Sequence, residues 1–311
     1  MSSKYLELCT KSQLDDYFAE FGATEESVKN DVKYLKEWMR QQPHLPNIED
    51  EEWLTNFLLR CKNSLERTKK SLETYYTTRV TMPEVFQDRD PCTKEMKELS
   101  QRCCLIPIPK LTPEGHRIVI FKIFEKGNSA PNGDLIIKAT QIVSDYLMKV
   151  DKNRGLIVIM DYENINMNYV TMLFSTVKQF VTLVTKTTPY RYHKVYLVNI
   201  IPALEPFFTI SMKLVKSKLV ERITMWREGS KKLYTVLPKE LLPEKYGGTY
   251  EKTFEELRDL FFEDLTSKQD WFISDEKNKT DLSKRPADHP FVDDDSSNYG
   301  VEGSFRKICL D

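Results

Sequence analysis

The sequence predicts an α/β protein: a small helical bundle over residues 1–95, then a mixed, largely parallel sheet with helices packed on it over residues 96–250. Three observations lead there. Residues 1–95 repeat their apolar side chains at helical spacing. After Leu105 the pattern shifts to short runs rich in β-branched residues. Two of those runs, at residues 155–161 and 195–201, are apolar at consecutive positions, as strands buried on both faces are. Such strands, separated by segments of helical length, form a sheet covered by helices.

In chain order, Thr24 is placed to cap a helix whose first turn holds Glu25 and Glu26, acids favourable at its positive end. Val28, Val32, Leu35 and Met39 give that helix an apolar stripe, and Pro43 and Pro46 end it. A second helix over residues 49–61 carries Trp53, Leu54, Phe57 and Leu58; a third over 64–79 carries Leu65, Leu72, Tyr75 and Tyr76. Helices joined by short links read as a bundle, closed by Pro83 and by Asp88-Arg89-Asp90-Pro91.

Ile106-Pro107-Ile108-Pro109 is extended, because each proline excludes its predecessor from the α region. Pro113-Glu114-Gly115 turns, residues 117–124 form a strand, and residues 126–133 form a loop. Helices over 134–150 and 169–185 then alternate with the strands at 155–161 and 195–201. After Pro202 and Pro206, Phe208, Met212, Val215 and Leu219 are spaced by 4, 3 and 4 positions and share one helical face. Lys213, Lys216 and Lys218 lie on or beside the other. Such a segment either closes an apolar interior while meeting an anionic surface, or is an ordinary surface helix with solvated lysines. A short strand near 222–225 and a helix near 230–237 follow, and residues 242–248 end the domain. Residues 251–311 make a C-terminal helix over 254–262 and, from Asp275, a polar and acidic tail that reads as loosely ordered.

With 311 residues, 40% hydrophobic and 30% charged, the chain has material for a real core and a soluble surface. Charges run through the first residues, so no signal peptide is expected, and no apolar run reaches bilayer length. The six cysteines include no CxxC pair and read as reduced thiols of a cytoplasmic protein. On that reading the sequon Asn278-Lys279-Thr280 carries no sugar.

The net charge of −1 conceals a split. Residues 186–232 hold 10 Lys/Arg against 3 Glu, or +7, and residues 251–311 hold 9 Lys/Arg against 16 Asp/Glu, or −7. The basic stretch suits an anionic partner, or the acidic tail itself.

No phosphate-binding glycine loop and no GxSxG elbow is present. The histidines stand apart, so no metal site is expected. Asp161 and Glu163 follow the central strand, where α/β enzymes place catalytic carboxylates, but no nucleophile or base accompanies them. Hydrogen bonding at the strand end is the simpler role for Asp161. Cys103-Cys104 reads as a small apolar pair. The basic stretch has neither a glycine-arginine run nor an aromatic RNA-binding signature, so no nucleic acid is expected.

Several segments resemble one family in order and spacing. The stretch Phe57-Leu58-Leu59-Arg60-Cys61-Lys62-Asn63-Ser64-Leu65-Glu66 resembles the N-terminal helical part of CRAL-TRIO proteins. Ile106-Pro107-Ile108-Pro109, Arg117-Ile118-Val119-Ile120 and Gly155-Leu156-Ile157-Val158-Ile159-Met160-Asp161 resemble the early strands of the lipid-binding domain. Val198-Asn199-Ile200-Ile201-Pro202 and Leu241-Leu242-Pro243-Glu244-Lys245-Tyr246-Gly247-Gly248 resemble its later hallmarks, and Gly303-Ser304-Phe305-Arg306-Lys307 resembles the end of insect members. The chain is similar to the α-tocopherol transfer and retinaldehyde-binding branch.

The resemblance implies a non-enzymatic carrier. It would have no cofactor and would hold one hydrophobic ligand (tocopherol, retinoid, carotenoid or phospholipid) under a mobile lid helix. Matching pocket positions are Leu156, Val158 and Met160; Phe180, Leu183 and Val184; and Val195 and Leu197. The lid runs from Pro202 to about Lys216, with Phe207, Phe208 and Met212 turned to the ligand or to lipid. Core packing alone would place the same apolar residues. Phosphoinositide headgroups are implied at Arg60, Arg191, His193, Lys218 and Arg222. His193 stands where the tocopherol carrier has arginine, which weakens that cleft at neutral pH. The family's lid proline is also missing, since Met212-Lys213-Leu214 stands there. The expected protein is a cytoplasmic monomer that visits membranes. A lipid-sensing trafficking adaptor signalling through its acidic tail remains the alternative, and an enzyme built on Asp161 a more distant one.

Overall fold

The computed structural model describes residues 2–124, 130–227 and 230–286. Helices α1 (Lys11–Ala19), α2 (Glu25–Arg40), α3 (Glu51–Arg60), α4 (Leu65–Thr81), α5 (Pro83–Phe86) and α6 (Lys94–Arg102) precede the sheet. Thr24 caps α2 as expected, its hydroxyl accepting from the Ser27 amide. Asp50, Ser64 and Thr93 do the same for α3, α4 and α6. The bundle is larger than three helices: α1, capped by Thr10, comes ahead of it. Its core joins Leu35, Leu54, Phe57, Leu72 and Tyr75 and reaches Ile137 and Met148 of the next helix in the chain.

The sheet contains β1 (Cys103–Leu111), β2 (His116–Ile123), β3 (Gly155–Asp161), β4 (Tyr192–Val198) and β5 (Ile223–Trp226), in that order across it. Only the β1–β2 pair is antiparallel. The crossovers carry α7 (Gly133–Val150), α8 (Met167–Thr182), then α9 (Glu205–Lys213) with α10 (Ser217–Val220). Parallel strands taken in sequence order, each crossover of the same hand, put those helices on one face. The other face, with Ile118, Ile120, Ile157, Ile159 and Val198, packs on Leu233, Leu241, Leu242, Tyr246 and Phe254. Burial on both faces is why residues 155–161 are apolar without alternation.

Four differences from expectation have local causes. The segment at 208–219 is two helices, because the Leu214 and Val215 amides bond three residues back and Lys216 is extended. Residues 230–237 form only the tight turn Ser230–Thr235. The helix expected to end at 262 continues as α11 (Phe254–Thr266), with α12 (Gln269–Asp275) after it. The tail expected to be loose from Asp275 packs on the helical bundle over residues 275–286. Its amides find helix-bundle carbonyls, Thr280 to Tyr76 (3.2 Å) and Asp281 to His44 (2.8 Å). Its charges find buried partners, Asp275 with Arg79 (2.6 Å) and Arg285 with Glu73 (2.5 Å). Asp293-Asp294-Asp295, the segment 303–307 and Leu310 lie outside the described residues.

Candidate functional site

Parallel register sets the inward side chains of the sheet in rows. Val119, Val158, Val195 and Ile223 form one row, and Phe121, Met160 and Leu197 the next. Between these rows and helices α7, α8 and α9 lies a cavity of about 220 Å³. In an interior otherwise packed like a crystal, an apolar void of that size is no packing defect.

The structure places every expected pocket residue on its wall. β3 contributes Leu156, Val158 and Met160, and β4 contributes Val195 and Leu197. Phe180 comes from the end of α8, and Leu183 and Val184 from the wide turn Leu183–Thr187 that continues it. Phe207, Phe208 and Met212 reach in from α9. The Phe207 ring meets Phe174 edge-on at 5.5 Å, and Phe208 meets Tyr162 at 5.5 Å. On the outer side of the same lid, Ile210 and Leu214 are 45% and 51% exposed, and Met167 at the start of α8 is 61% exposed.

Much of the wall was not anticipated. α7 lines it through Ile136, Thr140, Ser144 and Leu147, and α8 through Tyr169, Met172, Leu173 and Thr176. The signal was the spacing of 136, 140, 144 and 147, but Thr140 and Ser144 interrupt its apolar character. These residues also give the cavity a polar end. Gln141 Nε2 donates to Asp145 Oδ1 (2.8 Å) and Thr188 Oγ1 (3.3 Å). The Tyr190 hydroxyl donates to the Ser144 carbonyl, and Tyr192 lies beside Tyr190 with ring centroids 6.2 Å apart. Burial pushes the Tyr192 phenol well above its ordinary value, so it stays a neutral donor. Among the described residues, no Asp, Glu, Lys, Arg or His lines the cavity.

The expected headgroup residues divide. Arg60 is 6% exposed, and its Nη2 donates to the carbonyls of Leu147 (3.4 Å) and Asp151 (3.1 Å). It closes the C-terminus of α7, where helix carbonyls lack partners of their own. Arg191 is half-buried and paired with Glu20, its Nη2 2.5 Å from Oε1. Lys218 and Arg222 are exposed, and an Arg222 nitrogen donates to the Tyr192 carbonyl.

His193 is the extra residue where the β3–β4 register slips. Its ring stacks on His116 with centroids 4.0 Å apart, Gly155 lying between their strands. Burial and the charges of Lys194 and Arg222 hold His193 below the usual histidine range. It therefore gives up its proton more readily than a free imidazole. Lys62 joins this surface unannounced, in a left-handed turn with φ of 60° after α3. Partial burial and the charges of Arg191, Arg67 and Arg222 depress its ammonium.

Asp161 is fully buried at the end of β3. It accepts from Lys122 Nζ (3.0 Å), Asn199 Nδ2 (2.7 Å), the Tyr246 hydroxyl (2.9 Å) and the Glu163 amide (3.1 Å). Burial alone would raise its pKa, but the Lys122 charge and these hydrogen bonds lower it. The carboxylate thus ties β2, β3, the residue after β4 and the domain's closing turn together. Among the described residues, no group of three or more His, Cys, Asp or Glu is set to hold a metal ion. No helix among them is long and apolar enough to cross a membrane.

Comparison with known proteins locates this architecture. Residues 24–96 match the model of the Pinta-like UBA domain, and residues 101–248 that of the CRAL/TRIO domain. Proteins named alpha-tocopherol transfer protein-like from Homo sapiens and Pongo abelii are 24% identical over 226 residues, covering 70% of this chain and 65% of theirs. The Mus musculus protein of that name is also 24% identical, over 70% and 64%. The matched stretch thus spans just under two thirds of those relatives. A solved structure titled "Crystal structure of Sfh5" superposes with a TM-score of 0.47 at 12% identity, over 81% of this chain and 92% of that one. The sheet, cavity and lid helix all fall within residues 101–248, the stretch that matches the CRAL/TRIO domain.

Proposed function

We propose that the chain holds one uncharged hydrophobic lipid in this cavity and carries it between membranes, docking through its basic surface on a phosphoinositide-bearing leaflet. The observation that carries the reading is the lid. α9 turns Phe207 and Phe208 into the cavity and Ile210 out to solvent, so one short helix has apolar residues on both sides. An apolar residue on the water side of a lid has a use at a bilayer, where the helix can exchange its contacts with the ligand for contacts with lipid. Apolar burial at about 25 cal/mol/Å² offsets extraction of the ligand from its membrane.

The wall chemistry narrows the ligand. With no ionised side chain among the described residues of the wall, a charged headgroup inside would be buried unpaired at high cost. A neutral head that hydrogen-bonds near Ser144, Thr188 and Tyr192, with an apolar tail toward Phe207 and Phe208, fits the wall. Tocopherol and retinoids have that form, and the name of the matched relatives makes tocopherol the first to try. A carotenoid offers a longer tail, and a phospholipid would keep its headgroup outside. Lys62, Arg191, Lys218 and Arg222 would attract an anionic leaflet by roughly 1 kcal/mol each. Arg60 is left out of that role because it is committed to α7.

The test incubates the purified chain with donor vesicles carrying each of the four ligand classes, then with acceptor vesicles. Ligand is expected to move, faster when acceptors contain phosphoinositide. Failure to extract any of the four would overturn the carrier reading.

A further inference from the structure

The end of α1 and the residues after it lie across the basic surface. Glu20 gives one carboxylate oxygen to each of two arginines: Oε1 accepts from Arg191 Nη2 at 2.5 Å, and Oε2 from Arg154 Nε at 2.9 Å. The Arg191 guanidinium also rests against the rings of Phe21 (5.1 Å) and Tyr17 (5.6 Å). Lys62 feels the charges of Arg191, Arg67, Arg222 and Glu20 together. Arg191 and Arg154 thus share one carboxylate, beside a Lys62 that also feels the charges of Arg67 and Arg222.

Cations held this close repel one another, and an anion set among them relieves the repulsion. A guanidinium fork grips carboxylate and phosphate oxygens with the same geometry. A phosphomonoester brings about −1.5 to −2 charges and three acceptor oxygens where Glu20 brings one charge and two. The stronger anion can therefore take the carboxylate's place.

Glu20 is also placed to leave. Its side chain remains 26% exposed. The start of α1 is held at the domain by Gln13, whose amide donates to the Thr112 and Pro113 carbonyls at 3.2 and 3.3 Å. α1 precedes residue 24, where the first matched family segment begins.

We propose that Glu20 is a built-in competitor: its carboxylate occupies the position of a phosphomonoester on Arg191 and Arg154, and the phosphate binds by displacing it. The proposal rests on the docking reading above and adds its regulation. At rest, α1 covers part of the cationic surface and lowers its affinity for a phosphomonoester. A polyphosphorylated headgroup opens it.

The test compares wild type, Glu20→Gln and Arg222→Gln in two assays. One is co-sedimentation with phosphatidylcholine vesicles that contain phosphatidylinositol bisphosphate, phosphatidylserine or neither. The other is titration with soluble inositol trisphosphate. Glu20→Gln is isosteric, and its melting temperature is followed alongside. It is expected to bind the bisphosphate vesicles about fivefold more tightly and to gain on the soluble trisphosphate by a similar factor. Its gain on phosphatidylserine vesicles should be smaller. An equal gain on all anionic vesicles with none on the soluble compound would show a general charge effect and overturn the displacement. If wild type prefers bisphosphate vesicles, Arg222→Gln weakens it and Glu20→Gln does not strengthen it, the proposal fails while the docking reading stands. If neither wild type nor Glu20→Gln prefers bisphosphate vesicles over plain ones, both fail.

Discussion

Along the cavity, the side chains of β3, β4 and α9 present carbon to an open space, whereas the cations around Arg191 already have partners. Val158 and Val195 face a void. Arg191 faces Glu20, Arg60 faces two carbonyls, and Arg222 faces the Tyr192 carbonyl. The cavity can bind by filling, which adds contacts and breaks none. At Arg191 and Arg222 an anion can bind only by exchange, since it competes with a group already there. Substitutions in the cavity should therefore act through volume, and substitutions at the surface through whichever partner is left behind.

The largest effect is expected from Val158→Trp. The residue is partly buried at the centre of the inward row, so an indole there projects into the cavity. Lipid uptake is expected to be abolished, because the added volume competes with the ligand directly. Overpacking costs roughly 1–3 kcal/mol where no space exists; with the void available, the melting temperature should move little. Uptake that survives would mean the ligand sits elsewhere.

Arg60→Ala comes next and separates the two kinds of arginine. It leaves the Leu147 and Asp151 carbonyls without their donor and opens space over the Tyr190 ring. A loss of about 3 kcal/mol in unfolding free energy is expected, measured by urea titration. Vesicle affinity per folded molecule should not change. A specific loss of phosphoinositide binding at unchanged stability would restore Arg60 to the headgroup set.

The unequal legibility of the two regions has the same origin. The period of a strand puts 156, 158 and 160 on one face and the 4, 3, 4 spacing puts Phe208, Met212, Val215 and Leu219 on one face of a helix, both from local sequence, while the family resemblance said which strand face meets the pocket. All of these residues do line one cavity. α7 was recognisable as a helix, but Thr140, Gln141 and Ser144 hid the face it turns to the void. Charges carry no such period. The partners of Arg60 lie 87 and 91 positions away, and Glu20 and Arg191 are 171 apart. α1 itself shows little apolar pattern in its nine residues, and its docking is visible only once β4 brings Arg191 beneath it.

The stacked histidines give a third, pH-dependent comparison. Burial first, then the charges of His193 and Arg154, lower His116 to about 4 from 6.5. The folded chain therefore favours neutral His116. Above pH 6.5 that preference has no effect on stability. As the pH falls from 6.5 toward 4, the unfolded chain takes up the proton first and stability declines. The loss from this group reaches about 3 kcal/mol at most. In His116→Asn, urea midpoints measured across that window should lose this part of the slope. An unchanged slope would assign the acid sensitivity to other groups.

The smallest effects test whether the basic surface is a site or only a charge. Arg222 lies near Lys62 and His193, and its charge depresses the protonation of both. Lys213 is exposed at the end of the lid helix. Arg222→Gln should weaken binding to phosphoinositide vesicles about fivefold, since one cation near an anionic surface contributes roughly 1 kcal/mol. Lys213→Gln should weaken it less than about twofold, because a solvated lysine contributes only diffuse attraction that falls off within a Debye length of ~10 Å. Salt separates them further. Raising the ionic strength should erase the Lys213 effect first, while Arg222, backed by neighbours that a phosphate bridges together, keeps part of its own. Equal losses with equal salt dependence would mean that no cleft exists and that the leaflet is met by net charge alone. Glu20 would then have nothing to compete for.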